Sequence, residues 1–192
     1  MRRFLFPLLA DLFVGFALFL LNLDGVQAFD RHRYETDCQK CHLLPDQRVD
    51  FSKIPLDQGL VMGNVLAPQK VTVFADPGCP YSQELHKEME KVLQERNDIV
   101  FYIFLYPLPV HPDAYWKSKS ILCNKSLKML EDAYAGKEIS HLECDSKEID
   151  THLKLAATLR IAGIPTLVLS DGRNRNGPIT AEHLIDFIQR SR

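Results

Sequence analysis

The 192-residue sequence has no basic cluster: 23 Lys and Arg stand against 25 Asp and Glu, for a net charge of −2. That balance argues against nucleic acid as a partner. The chain also lacks the length for two full domains, so one ordinary domain plus a small appendage is the bound. Hydrophobic periodicity is missing from Phe29 to Pro68, which argues against an independent core there. Cysteine is scarce, with five residues in all: Cys38, Cys41, Cys79, Cys123 and Cys144. Three positions after Cys79, where a C-x-x-C pair would place its second thiol, the residue is Ser82.

What is present begins with an export pattern. Arg2 and Arg3 precede an apolar run from Phe13 to Leu23, and Val26-Gln27-Ala28 is an acceptable small-residue cleavage site. Residues 1–28 therefore read as a signal peptide. Asp11 interrupts the pattern and keeps an uncleaved membrane anchor as the alternative. Either way the body of the protein is expected to be exported, to a compartment where disulfides persist.

The segment 29–68 carries Cys38-Gln39-Lys40-Cys41-His42. C-x-x-C-H is the attachment signature of c-type haem, with two thiols on the vinyl groups and the histidine on iron. The segment is short for a cytochrome, and Met62 and His32 are the only local candidates for a sixth ligand. A disulfide or dithiol pair competes with haem, and so does a metal site, although zinc would need a fourth ligand that the sequence does not offer. Phe51 to Ala67, interrupted by Pro55, Gly59 and Gly63 and closed by Pro68, reads as a linker.

The organising stretch follows, V-T-V-F-A-D-P-G-C-P-Y-S from Val71 to Ser82. Val71, Thr72, Val73 and Phe74 predict a buried strand, and Asp76, Pro77 and Gly78 a turn. A helix then starts with Leu85, Met89, Val92 and Leu93 on one face. Cys79 thus falls at a helix start directly after a central strand. Positive partial charge there favours thiolate over thiol and marks Cys79 as a nucleophile; the alternative is a buried structural cysteine. Ile99 to Leu105 predicts a second strand parallel to the first, completing a crossover unit. Pro107, Pro109 and Pro112 punctuate a loop. Helices are predicted over Asp113–Asn124, Ser126–Tyr134 and Lys147–Ile161. Gly163-Ile164-Pro165-Thr166 leads into a strand over Thr166–Ser170, since proline can open a strand but not sit within a central ladder. Asp171-Gly172 signals a hairpin with a poorly defined return strand. Thr180 caps a last helix, Ala181–Arg190.

Together these residues resemble the thioredoxin-fold family, and within it the DsbC/DsbG group of periplasmic disulfide isomerases. V-T-V-F-A-D-P-G-C-P-Y-S-Q-E-L-H is similar to that group's active-site strand, motif and helix, and Gly163-Ile164-Pro165-Thr166 to its cis-proline loop. Cys123 and Cys144 fall where the group carries a structural disulfide. The resemblance covers roughly residues 56–192. It implies an α/β thioredoxin fold, a central mixed sheet flanked by helices, over 69–192 with a helical insertion at about 112–160. It implies thiol–disulfide exchange with Cys79 as nucleophile, Pro165 in cis beside it, and Ile164, Pro80 and Tyr81 contacting substrate. Implied partners are disulfide-containing or unfolded exported proteins and a membrane or periplasmic reductant. No cofactor is required for that chemistry, and covalent haem c at Cys38 and Cys41 is a separate expectation.

Two departures follow. Ser82 makes the motif Cys79-Pro80-Tyr81-Ser82, so the implied chemistry is monothiol, with Ser82 expected to donate a hydrogen bond to the thiolate. The group's separate dimerisation domain has no counterpart beyond the short C-x-x-C-H segment. Cys123 or Cys144 as a resolving thiol for Cys79 is the alternative to a bridge between them. His86 reads as a surface or packing residue, and His111 as either facing the site or lying in a loop. Tyr115 and Trp116 are expected to anchor the insert, and the charged run Glu88–Asp98 to be a solvated helix face. Four functions compete: a single-cysteine exchanger; one resolved by Cys38 and Cys41; a haem-bearing electron-transfer protein with a thioredoxin-like docking domain; and a client-holding chaperone.

Overall fold

The computed structural model describes residues 48–142, 144 and 147–190. The signal-peptide expectation over 1–28 and the Cys38, Cys41 and His42 motif lie outside them. Among the described residues no helix is long and apolar enough to cross a membrane.

Five strands form one sheet: β1 (Leu60–Gly63), β2 (Gln69–Ala75), β3 (Ile99–Leu105), β4 (Thr166–Leu169) and β5 (Asn174–Asn176), in the order β1-β3-β2-β4-β5. β2 and β3 are parallel, and the remaining neighbours are antiparallel. Helix α1 (Pro80–Glu95) makes the β2-to-β3 crossover. Helices α2 (Ala114–Asn124), α3 (Leu127–Tyr134) and α4 (Glu148–Thr158) fill the space between β3 and β4, and α5 (Ala181–Gln189) ends the domain.

Strand β3 explains the layering. All seven of its residues are buried, because alternate side chains enter cores on opposite faces of the sheet. Ile99, Phe101, Ile103 and Leu105 join Leu85, Met89 and Val92 of α1 and Leu184 and Ile188 of α5. Val100, Tyr102 and Phe104 face the other way, onto Ala156 of α4, Leu159, Ile161 and Ile164. Removing a side chain such as Phe104, which is fully buried, from water contributes about 2 to 3 kcal/mol.

The stretch expected as a linker is part of the fold. It holds two single 3-10 turns, Phe51–Lys53 and Leu56–Gln58, and then β1, which pairs antiparallel with β3 from Leu60↔Ile103 to Gly63↔Val100. Val49, Ile54, Leu60 and Met62 are buried, so apolar residues too irregularly spaced to signal a core complete one contributed by distant strands. Met62, weighed as a haem ligand, packs into the main core. The return strand after Asp171-Gly172 is β5, three residues long and polar, held by pairing with β4. Gly172 has a positive φ of 84°, and a Cβ there would meet the Val49 carbonyl oxygen at 2.5 Å. Its carbonyl accepts from Val49 N–H at 2.8 Å, which ties the start of the described chain to this hairpin.

In the insert, Ser126 caps α3 by accepting from Met129 N–H. Cys123 and Cys144 are disulfide-bonded, with Cα atoms 6.1 Å apart. Trp116 is partly buried against the core. Tyr115, expected beside it as an anchor, is 48% exposed and bonds Asp150 at 3.2 Å through its hydroxyl. The charged face of α1 is not wholly solvated either. Glu88 Oε2 accepts from Ala181 N–H at 2.8 Å, placing a carboxylate at the N-terminus of α5.

Candidate active site

Cys79 stands at the N-cap of α1 with extended backbone, φ −90° and ψ 122°, and Pro80 occupies the first helical position. Proline suits that position, since its missing N–H would have no helical partner. Cys79 N–H donates to Asp76 carbonyl at 3.0 Å, closing the turn, and its own carbonyl accepts from Gln83 N–H at 3.1 Å, opening the helix. The thiol is free and the residue is 4% exposed. Pro80, on its flank, is exposed, and Tyr81 is half-buried.

The Ile164–Pro165 peptide bond is cis. β4 pairs with β2 through Phe74↔Thr166, so this bond lies at the end of β2 from which the Cys79 turn departs. Pro165 is buried, its carbonyl accepting from Gly177 N–H at 2.8 Å. Ile164, expected to contact substrate, sends its side chain into the second core.

Ser82 is buried, and its hydroxyl accepts from Asp76 N–H at 3.2 Å. It also hydrogen-bonds Tyr134 of the insert. These bonds tie Ser82 to the strand-turn junction and to α3. Burial first, then the charges of Asp76 and Cys79, push the Tyr134 phenol up, while the Ser82 bond pulls it down. Tyr134 therefore stays protonated beside the thiol. Its carbonyl also accepts from the Gln83 side-chain amide. Nothing in the helical pattern of α3 marks this tyrosine, because its role depends on α3 folding back over α1.

Asp76, read from the sequence only as a turn residue, has a fully buried side chain. One oxygen accepts from Gly78 N–H at 2.7 Å. The other accepts from Leu108 N–H at 2.8 Å and lies 2.7 Å from His111 Nδ1. Asp76 thus clamps the proline-punctuated loop onto the Cys79 turn, and His111 faces the site. A Cβ on Gly78 would meet His111 Cβ at 2.9 Å, so the close approach of loop and turn requires glycine. Beside them Tyr106, Pro107, Leu108, Pro109 and Pro112 line an apolar groove of about 350 Å³.

Two further histidines are buried. His152 Nδ1 accepts from Leu105 N–H at 3.1 Å, leaving Nε2–H to donate to Gln58 carbonyl at 3.1 Å. Burial lowers its pKa to about 4 against the pull of these backbone bonds, so the ring is neutral. His86, expected as a surface or packing residue, is 5% exposed and lies against the Tyr134 ring at 5.3 Å between centroids. Burial lowers its pKa as well, opposed by the charge of Glu131.

The thioredoxin-like domain family matches residues 64–191 of this chain. A probable thiol:disulfide interchange protein DsbC of Bordetella avium is 29% identical over 145 residues, covering 74% of this chain and 50% of that protein. The thiol:disulfide interchange protein DsbC of Escherichia coli is 34% identical over 110 residues, covering 55% of this chain and 46% of that protein. The chain spans about half the length of the curated relatives it matches. Among solved structures, a disulfide interchange protein from Neisseria gonorrhoeae is 27% identical, with a TM-score of 0.62 over 71% of this chain and 97% of that one. Proteus mirabilis ScsC, 16% identical with a TM-score of 0.59, shares the fold. A strand-turn-cysteine-helix unit, a cis-proline loop at the same sheet end and a helical insert are accounted for together: the chain belongs to the thioredoxin-like domain family, and its relatives within it are DsbC-type disulfide interchange proteins.

Proposed function

We propose that this protein is an exported, periplasmic thiol–disulfide oxidoreductase and isomerase that works through the single thiol of Cys79. The observation that carries this reading is the free Cys79 at the N-cap of α1, with Ser82 in place of a second thiol. In the reaction, the Cys79 thiolate attacks one sulfur of a substrate disulfide. The substrate S–S bond breaks, a mixed disulfide forms, and the displaced substrate thiolate takes up a proton. A second substrate thiolate then attacks the substrate sulfur of the mixed disulfide. A new substrate disulfide forms and Cys79 leaves as thiolate, so electrons balance without an external oxidant. Ser82 cannot attack sulfur, so release depends on a thiol from elsewhere: the substrate, a reductant, or the Cys38–Cys41 pair. Substrates of this chemistry are misbridged exported proteins, and the groove of Tyr106, Leu108 and Pro109 offers apolar contact beside the turn.

The test is recovery of activity by a scrambled, disulfide-bonded protein incubated with the purified chain and a small thiol. The wild type should accelerate recovery and Cys79→Ala should not. Equal rates with Cys79→Ala would overturn the proposal and favour a client-holding role. Cys38→Ser with Cys41→Ser reads whether that pair performs the release. An intact mass and visible spectrum of the exported protein reads whether the two cysteines carry haem c instead.

A further inference from the structure

The strongest unused group outside the thiol site is the buried imidazole of His86. Its Nε2 has no hydrogen-bond partner, although its side chain is only 6% exposed. A buried polar atom left so is costly unless something supplies a partner. What it faces is two carboxylates. The i, i+4 spacing of His86 and Glu90 places both on one face of α1, with Nε2 3.9 Å from Glu90 Oε1. Glu131 approaches from α3, and one ligand atom from each of the three residues lies within 4.8 Å of the others. Glu90 is exposed and Glu131 half-buried, so the cluster opens to solvent at its carboxylate rim and is closed at its imidazole end by Tyr134.

We propose that His86, Glu90 and Glu131 bind a divalent cation of the zinc class, bridging the active-site helix α1 to helix α3 of the insert. One imidazole nitrogen with two carboxylate oxygens suits zinc and its transition-metal neighbours, whereas magnesium and calcium favour all-oxygen sets. Two carboxylates balance a dication, and water completes the coordination from the open side. The ligand atoms must draw together modestly, which the exposed Glu90 and the half-buried Glu131 can do. Occupancy would hold α3 against α1, and with it Tyr134 over Ser82, so the cation is a structural strap on the wall of the thiol site. The proposal does not depend on the thiol chemistry.

The test uses the full chain carrying Cys38→Ser and Cys41→Ser, so that the C-x-x-C-H thiols do not compete, after chelator treatment. Zn²⁺ is titrated by calorimetry and Co²⁺ by visible absorption. One equivalent should bind, and saturating Zn²⁺ should raise the Tm. Losing even a supporting residue around a metal costs about tenfold or more in affinity, so Glu90→Gln and Glu131→Gln should each weaken binding by at least about tenfold. These two variants carry the test because both side chains reach solvent, whereas His86→Gln alters a buried position. No binding of either ion would overturn the proposal, as would binding, at Cys79 or elsewhere, that both glutamine variants leave unchanged.

Discussion

Acid should loosen the protein at the sheet end that carries Cys79, and His152 sets the size of the effect. Its ring is fully buried between Leu105 N–H and Gln58 carbonyl. Leu105 pairs with Ala75, the residue before Asp76, so the ring buttresses the strand end next to the Cys79 turn. In the unfolded chain this histidine takes a proton below its ordinary value of 6.5, whereas in the fold burial holds it neutral down to about 4. A depressed histidine pKa means its contribution is fully present above about pH 6.5 and is lost as pH falls towards 4. At about 1.4 kcal/mol per pH unit, the loss by pH 4 is about 3 kcal/mol. His86, also depressed, adds in the same direction. The assay is urea denaturation at steps between pH 7.5 and 4, comparing wild type with His152→Gln. The variant should be less stable at neutral pH, because one side-chain amide cannot fill both ring-nitrogen positions between Leu105 N–H and Gln58 carbonyl, and its stability should fall less steeply with acid. Parallel slopes for the two proteins, or an imidazole NMR titration of His152 centred near 6.5, would refute the reasoning.

Two further outcomes are expected. Asp76→Ala leaves Gly78 N–H, Leu108 N–H and His111 without a buried acceptor. It should cost about 3 kcal/mol or more in urea denaturation; His111→Ala should cost less, because both amides still hold the carboxylate. A loss below about 1 kcal/mol for Asp76→Ala would show that the loop is not clamped through this residue. Cys123→Ala opens a bridge with a sequence separation of 21, which should lower stability by about 3 kcal/mol measured without reductant. The wild type in reductant should match it, and equal stability of all three would remove the bridge as a support.

Local signals in the chain were legible wherever the physics was local. The β2 run, the Cys79 helix start, the β3 run and the Thr180 cap are each decided by residues within a turn or two of one another. β-Branched runs, an apolar helical face and a hydroxyl that accepts from His183 N–H three residues on need no distant partner to be read. The placement of Cys79 at a helix start, and hence the candidate nucleophile, comes from that level alone. Strand β1 was not legible, because Leu60-Val61-Met62-Gly63 is short and glycine-interrupted; it is a strand only because β3 offers it a ladder. β5 is three polar residues for the same reason.

The surroundings of the thiol belong to the tertiary structure. Asp76 carries an ordinary turn signal, and only the return of the 106–112 loop makes its carboxylate a buried three-way acceptor. Tyr134 and Glu131 sit on a helix that the sequence predicts, but they reach Ser82 and His86 only because α3 packs over α1. The sequence by itself determined that Cys79 falls at a helix start and that Ser82, not a second thiol, stands three residues on. The fold decided what surrounds that thiol, because burial, hydrogen-bond pairing and the approach of charged groups depend on segments that are far apart in the chain.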